Sequence, residues 1–111
     1  MTTAVIINSD GLGKGDEELG KKLMGNFLRK IWASNKKPDA IIFYNAGVML
    51  LAEGSPVLDV VESLNKAGVD LLACGTCVGV FDLEDKIRVG RISNMQEIVR
   101  TLMNAESVIT M

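Results

Sequence analysis

The chain has 111 residues, of which 48% are hydrophobic and 23% are charged, and its formal net charge is −2. This length suits one domain with a substantial core, so a single domain over residues 1–111 is predicted. The weak negative charge excludes a basic surface for nucleic acid or for an anionic membrane. The sequence contains no histidine, which excludes imidazole catalysis and histidine metal ligands within one chain.

The N-terminal residues lack the features of a secretory signal. No basic residue precedes Ala4, and the apolar run that starts there is short. No stretch has the roughly 20 apolar residues that a membrane span requires. We therefore expect a cytoplasmic protein without a membrane partner, in a compartment that keeps thiols reduced.

Short apolar runs alternate with amphipathic stretches along the chain, as in an α/β fold. Strands are predicted at residues 4–8, 40–44, 69–73, near 87–89 and at 107–110. Helices are predicted from Asp16 to about Ser34, from Ser55-Pro56 to Gly68, and after a capping box at residues 93–96, with a helical turn at 48–51. The last helix has an apolar face formed by Met95, Ile98, Val99, Leu102 and Met103. This alternation predicts a parallel sheet with helices on both faces.

Four loops should meet at one edge of that sheet, because sites in such folds lie at the carboxyl ends of the strands. They are residues 9–15, 45–54, 74–77 and 90–94, and they are rich in Gly, Asn, Ser and Cys. The glycine-rich segment Gly11–Gly15 fits neither common phosphate-loop motif, and three acidic residues follow it. A tight turn or a lid is therefore expected there rather than a nucleotide site.

The only two cysteines, Cys74 and Cys77, lie in the turn after the third predicted strand. A thiol between a strand and a helix is close to backbone N–H groups, which favour the thiolate. Three alternatives remain open: two inert buried thiols, a thioredoxin-like dithiol, and a metal held by cysteines from two subunits. The lack of histidine weakens the metal interpretation, and the lack of a proline after the motif weakens the thioredoxin one. Neither a metal nor a cofactor is expected.

Polar groups predicted around the thiols provide candidate substrate contacts. They are Asn45, Gly75, Thr76 and Asn94. The two asparagines are uncharged hydrogen-bonding groups that would orient a persulfide or a partner's backbone. Their alternative role is to cap a strand or a helix.

Together these motifs resemble the DsrE/DsrF-like sulfur-relay superfamily, most closely the DsrE-like domain of sulfurtransferase-like selenium-metabolism proteins. The resemblance is carried by residues 9–20, 43–48, 53–56, 73–77 and 89–95, in that order and spacing. It implies a three-layer α/β/α domain with a five-stranded parallel sheet and a homo-oligomer such as a trimer or a hexamer. It also implies that Cys74 carries sulfur as a persulfide, with Cys77 as a resolving thiol or a neighbouring donor.

Two features depart from the family pattern. Many relatives have a glycine eight residues after the first cysteine, where this chain has Asp82. The two-domain relatives carry a preceding Cys-Pro-x-Pro domain that this sequence lacks, so sulfur donor and acceptor proteins are expected to be separate chains.

The leading hypothesis is a small sulfur carrier, or sulfurtransferase-like protein, that takes sulfane sulfur on Cys74 and passes it to an acceptor thiol. The alternative is a non-catalytic oligomeric binding or scaffold protein with structural cysteines. A dithiol redox protein that uses a Cys74–Cys77 disulfide is a minor third hypothesis.

Overall fold

The structure, a computed structural model, describes residues 2–111 and contains a sheet of five parallel strands. The strands are β1 (Thr3–Ile7), β2 (Ala40–Phe43), β3 (Asp70–Cys74), β4 (Arg91–Ser93) and β5 (Ser107–Thr110). Their order across the sheet is β4-β3-β2-β1-β5. The predicted five-stranded parallel sheet is confirmed.

Helices connect the strands, and the three longest lie where the apolar periodicity predicts them. They are α1 (Glu17–Ala33), a 3₁₀ helix (Asn45–Leu51), α2 (Leu58–Lys66), α3 (Gly75–Val80) and α4 (Met95–Asn104). Helix α1 begins as predicted, because the Asp16 carboxylate accepts a hydrogen bond of 3.0 Å from the Leu19 N–H. Within residues 2–111, no helix is both long enough and apolar enough to cross a membrane.

The start of α2 differs from the prediction. The helix begins at Leu58, after a turn in which the Ser55 hydroxyl accepts a hydrogen bond of 3.2 Å from the Val57 N–H. The serine therefore stabilises the turn before the helix instead of capping its first residue. Helix α4 also differs slightly, since Asn94 is its N-cap and accepts from the Glu97 N–H at 2.8 Å.

The sheet has two faces that are covered very differently. On the first face, strand residues such as Ile41 and Leu71 pack in one large cluster with α1, α2 and the 3₁₀ helix. The second face has a small buried cluster: Ala40, Ile42, Leu72, Cys74 and Ile98. Ile98 of α4 is its one fully buried helical member in the described part of the chain, and Leu102 of α4 and Cys77 of α3 pack against it. Helices therefore cover both faces as predicted, but the second face is covered sparsely.

The fourth strand was predicted near residues 87–89, and this position is wrong. The strand lies at Arg91–Ser93, where it pairs with β3. Ile87 instead forms an isolated antiparallel bridge with Ala52, and the Arg88 N–H donates to the Leu51 carbonyl at 2.8 Å. This pairing holds the segment against the end of the 3₁₀ helix and away from the sheet. The predicted loop at residues 90–94 is therefore mostly strand.

Candidate functional site

The two cysteines lie at the carboxyl end of the sheet, as predicted. Cys74 is the last residue of β3 and the N-cap of α3, and Cys77 lies one turn into that helix. Strand β2 ends beside the end of β3, with Phe43 paired to Ala73. Tyr44 and Cys74 are the next residues on these neighbouring strands, so they leave the sheet at the same level.

The two thiols differ in exposure. Cys74 is only 2% exposed and belongs to the buried cluster of the second face, together with Ile98. Cys77 is partly exposed and packs against the clusters of both faces. Both cysteines are free thiols. A molecule that approaches this end of the sheet therefore meets Cys77 first.

A backbone group holds the Cys77 sulfur. The Asn45 N–H donates to Cys77 Sγ at a distance of 3.0 Å. Asn45 has a φ of 48°, in the left-handed region that asparagine adopts more readily than most residues. The prediction that Asn45 lies near the cysteines is confirmed, and its contact is made by the backbone.

The electrostatic setting of Cys77 does not favour the thiolate. Burial raises the pKa of the Cys77 thiol above its ordinary value. The Asn45 N–H partly opposes this effect, while interaction with the neighbouring Cys74 side chain raises the pKa further. The expectation that backbone dipoles would lower the pKa at this turn is therefore wrong for Cys77, because burial outweighs the hydrogen bond.

Tyr44 is a site residue that the sequence pattern did not identify. Its side chain packs against the second-face cluster beside Cys74 and Cys77. Burial, followed by the nearby charges of the two thiolates, raises the pKa of the Tyr44 hydroxyl. The phenol therefore stays protonated and can donate a hydrogen bond at neutral pH. The sequence could have identified it, because Tyr44 is the last residue of the predicted second strand, at the edge of the sheet where Cys74 follows the predicted third strand.

The other predicted contact residues have mixed positions. Gly75 lies against β4, where a Cβ atom would come within 2.7 Å of the Ser93 carbonyl oxygen. Thr76 is exposed in the first turn of α3. The side-chain oxygen of Asn94 caps α4, which is the alternative role that the sequence left open. Gly75 and Thr76 thus adjoin the thiols directly, whereas Asn94 serves the neighbouring helix.

Asp82 lies just after α3, where its backbone conformation helps to end the helix. Asp82 has a φ of 57°, and its N–H donates to the Gly79 carbonyl at 3.1 Å, while the Leu83 N–H donates to Val78 at 2.9 Å. These two bonds form a Schellman cap, whose left-handed position is usually a glycine. The left-handed position of this cap is therefore occupied by an aspartate.

The glycine-rich loop forms a tight turn against α1. The Leu12 N–H donates to the Gly20 carbonyl at 2.9 Å, and Gly11 lies against the backbone of Gly20 and Lys21. A cavity of about 340 Å³ adjoins this loop, with Met24, Leu50 and Val57 among its apolar lining and Asp10 and Lys21 among its charged lining. Neither cysteine lines this cavity. Within residues 2–111, no group of three or more Cys, Asp or Glu side chains lies together in a way that would hold a metal ion.

Comparison with known proteins identifies solved structures that share the fold. No protein-family profile and no curated protein sequence matches the chain. The crystal structure of the YchN protein from E. coli is similar, with a TM-score of 0.70 and 17% identity over 100% of both chains. MTH1491 from Methanobacterium thermoautotrophicum, a protein of unknown function, gives a TM-score of 0.72 and 21% identity over 99% of this chain and 98% of its own. BT1422 from Bacteroides thetaiotaomicron, also of unknown function, gives a TM-score of 0.66 and 16% identity over 98% of this chain and 94% of its own. At these identities, the likeness establishes the fold alone.

Proposed function

We propose that this chain is a cytoplasmic sulfur carrier of the DsrE/DsrF-like superfamily. It takes sulfane sulfur as a persulfide on Cys74 and passes it to the thiol of an acceptor protein. The observation that carries the proposal is a pair of free thiols, one helical turn apart, at the carboxyl end of a parallel sheet. The sequence resemblance over the whole chain and the matching fold support the same assignment.

The surroundings of Cys74 suit a stored persulfide. A persulfide is easily lost to other thiols in solution, and the second-face cluster shields Cys74 from them. Tyr44 and the exposed Thr76 supply hydroxyl groups beside the motif, and Gly75 keeps the turn narrow. These groups orient the outer sulfur toward an acceptor, while no charged side chain competes for it within the motif itself.

The partners in this proposal are sulfur donor and acceptor proteins and further copies of the chain. Three side chains of α4, Met95, Val99 and Met103, are large, apolar and at least about half exposed. Their spacing of four residues puts them on one stripe of the helix. An exposed stripe of this kind is typical of a protein interface and supports a homo-oligomer, such as a trimer or a hexamer.

Mass spectrometry tests the proposal directly. Incubation with a persulfide donor should add about 32 Da, one sulfur atom, to the intact chain, and a reductant should remove it. The double variant Cys74→Ser/Cys77→Ser is the matched control and should gain nothing. If several donors leave the wild-type chain unmodified, the protein is not a sulfur carrier.

A second candidate function is an oligomeric binding or scaffold protein with structural cysteines. The burial of Cys74 and the raised pKa of Cys77 favour it, since both slow thiol chemistry at neutral pH. It predicts that the double serine variant keeps its oligomeric state and its partners. It also predicts that iodoacetamide modifies both thiols more slowly at pH 7 than it modifies a free cysteine, with no persulfide formed by any donor.

A further inference from the structure

We propose that sulfur does not reach Cys74 directly but arrives first on Cys77, which then hands it to Cys74. This two-step relay rests on the proposed function. It reverses the roles that the resemblance implies, because it makes the second cysteine the first acceptor and the first cysteine the store.

The argument begins with access. A donor persulfide must bring its outer sulfur into contact with the attacking thiolate. Cys74 is 2% exposed and packs with Ile98 of α4, so a donor cannot reach it without a local opening of that helix. Cys77 is partly exposed at the same end of the sheet. The first contact with a donor therefore falls on Cys77.

The second part of the argument is the closeness of the two thiols. They lie one helical turn apart at the start of α3. Cys77 also packs against the second-face cluster that contains Cys74. A sulfur atom bound to Cys77 is thus already beside the buried thiol, and the second transfer needs no partner.

The third part is the hydrogen bond that Cys77 receives. When the outer sulfur moves to Cys74, Cys77 becomes the leaving thiolate and gains a negative charge. The Asn45 N–H already points at this sulfur from 3.0 Å and stabilises that charge without rearrangement. Tyr44 packs against the same cluster and adds a protonated hydroxyl group at this end of the sheet.

Each step is a balanced sulfur transfer. In the first, the Cys77 thiolate attacks the outer sulfur of the donor R–S–SH and its S–S bond breaks. The released R–S⁻ takes up the proton that Cys77 lost, and Cys77–S–SH remains. In the second, the Cys74 thiolate attacks the outer sulfur of Cys77–S–SH. Cys74–S–SH forms, and the Cys77 thiolate takes up the proton of Cys74. Neither step consumes an oxidant or a reductant.

Single-cysteine variants test the order of transfer. Wild type, Cys77→Ser and Cys74→Ser are each mixed with glutathione persulfide, and the gain of about 32 Da is followed in time and located by peptide mapping. Wild type should show the adduct on Cys77 early and on Cys74 late. Cys74→Ser should load Cys77 at the wild-type rate and keep the sulfur there. Cys77→Ser should load Cys74 on the order of 100-fold more slowly, because Cys74 then reacts only during local opening.

The outcomes separate this inference from the function on which it rests. Loading of Cys74 at the wild-type rate in Cys77→Ser overturns the relay but leaves the sulfur carrier intact. If Cys74→Ser fails to load Cys77, the relay is likewise overturned while the sulfur carrier is left intact. Absence of any adduct in wild type refutes both. Release of sulfide with a loss of about 2 Da shows attack on the inner sulfur and a disulfide product, which overturns the second step. Cys77→Ala repeats the measurement, and circular dichroism confirms that each variant is folded.

Discussion

The two faces of the sheet differ in how they are covered, and the candidate site lies at the end of the sheet, next to the clusters of both faces. The first face is buried under α1, α2 and the 3₁₀ helix, while the second face is covered by α4. Cys77 packs against both clusters, whereas Cys74 belongs to the smaller one. The larger cluster supplies most of the buried apolar surface and so most of the stability. The smaller cluster of the second face is the one that contains Cys74.

The largest expected effect compares the two faces within one strand. Ile41 and Ile42 are neighbours in β2, both are 0% exposed, and they point to the first and the second face respectively. We expect Ile41→Ala to lower the free energy of unfolding by about 4 kcal/mol and Ile42→Ala by about 2 kcal/mol. The loss is smaller for Ile42→Ala because few neighbours hold α4, so this helix can move and partly fill the cavity that the substitution leaves.

Urea denaturation followed by circular dichroism measures this difference. The two variants remove the same atoms from adjacent positions, so side-chain chemistry and strand propensity cancel. Equal losses, or a larger loss for Ile42→Ala, would mean that the second face is as tightly packed as the first. Repeating the measurement at two protein concentrations separates subunit association from folding.

A smaller effect is expected where α3 meets the edge of the sheet. Gly75→Ala would place a Cβ atom 2.7 Å from the Ser93 carbonyl oxygen, a contact that real Cβ atoms do not make. We expect a loss of about 1–3 kcal/mol and a shift of the thiol turn. Gly79→Ala, in the same helix, is the control: its Cβ would meet only Glu84 Oε2 at 3.9 Å, and alanine favours the helix.

Thermal unfolding measures both alanine variants under one set of conditions. Gly75→Ala should lower the melting temperature, and Gly79→Ala should leave it unchanged or raise it. If both variants behave alike, the close approach between α3 and β4 does not constrain the turn.

The sequence predicted most of the sheet because buried parallel strands are continuous apolar runs. Strands β1, β2, β3 and β5 lie within one residue of their predicted bounds. Strand β4 was misplaced because it is only three residues long and two of them are exposed at the edge of the sheet. The more apolar segment around Ile87 gave a stronger strand pattern, although it pairs with Ala52 outside the sheet.

The sequence predicted where the candidate site lies, but not the exposure, the pKa or the hydrogen bond of its thiols. Strand order alone puts Cys74 and Cys77 at the carboxyl end of the sheet. Their different exposure depends on Ile98 and Tyr44, which come from other elements and approach only in the folded chain. The pKa of Cys77 follows from the same burial, so a local motif could not give even its direction. The hydrogen bond from Asn45 depends on a positive φ that the sequence permits but does not specify.

A pH-dependent effect tests how α4 is held on the second face. The Arg91 guanidinium donates to both oxygens of Asp70, at 3.1 and 2.9 Å, and to Glu97 in α4 at 2.8 Å. Arg91 first, and then the Ser93 hydroxyl, lower the pKa of Glu97 from 4.5 to about 2, with a smaller contribution from Arg100. A lowered carboxyl pKa gives stability that is present above about pH 4.5 and is lost as the pH falls toward 2.

Glu97→Gln should therefore unfold at a lower temperature than wild type at pH 7, with a difference that narrows as the pH falls from 4.5 to 2. Glu106→Gln, which changes an exposed glutamate outside this network, is the control and should show no such convergence. A constant difference between Glu97→Gln and wild type over this range would mean that the ion pairs do not hold α4.

The smallest effect on stability is expected on the outer stripe of α4, where the effect on assembly should be large. Met103 is 80% exposed, so Met103→Glu should change the free energy of unfolding by no more than about 0.5 kcal/mol. The same charge should lower the molar mass measured by light scattering if the stripe is a subunit interface, because an unpaired carboxylate would be buried there. Asn104→Glu adds that charge one residue away, about a quarter turn around the helix, and should leave the molar mass unchanged. Equal molar masses for wild type and both variants would mean that the outer stripe of α4 is not a subunit interface.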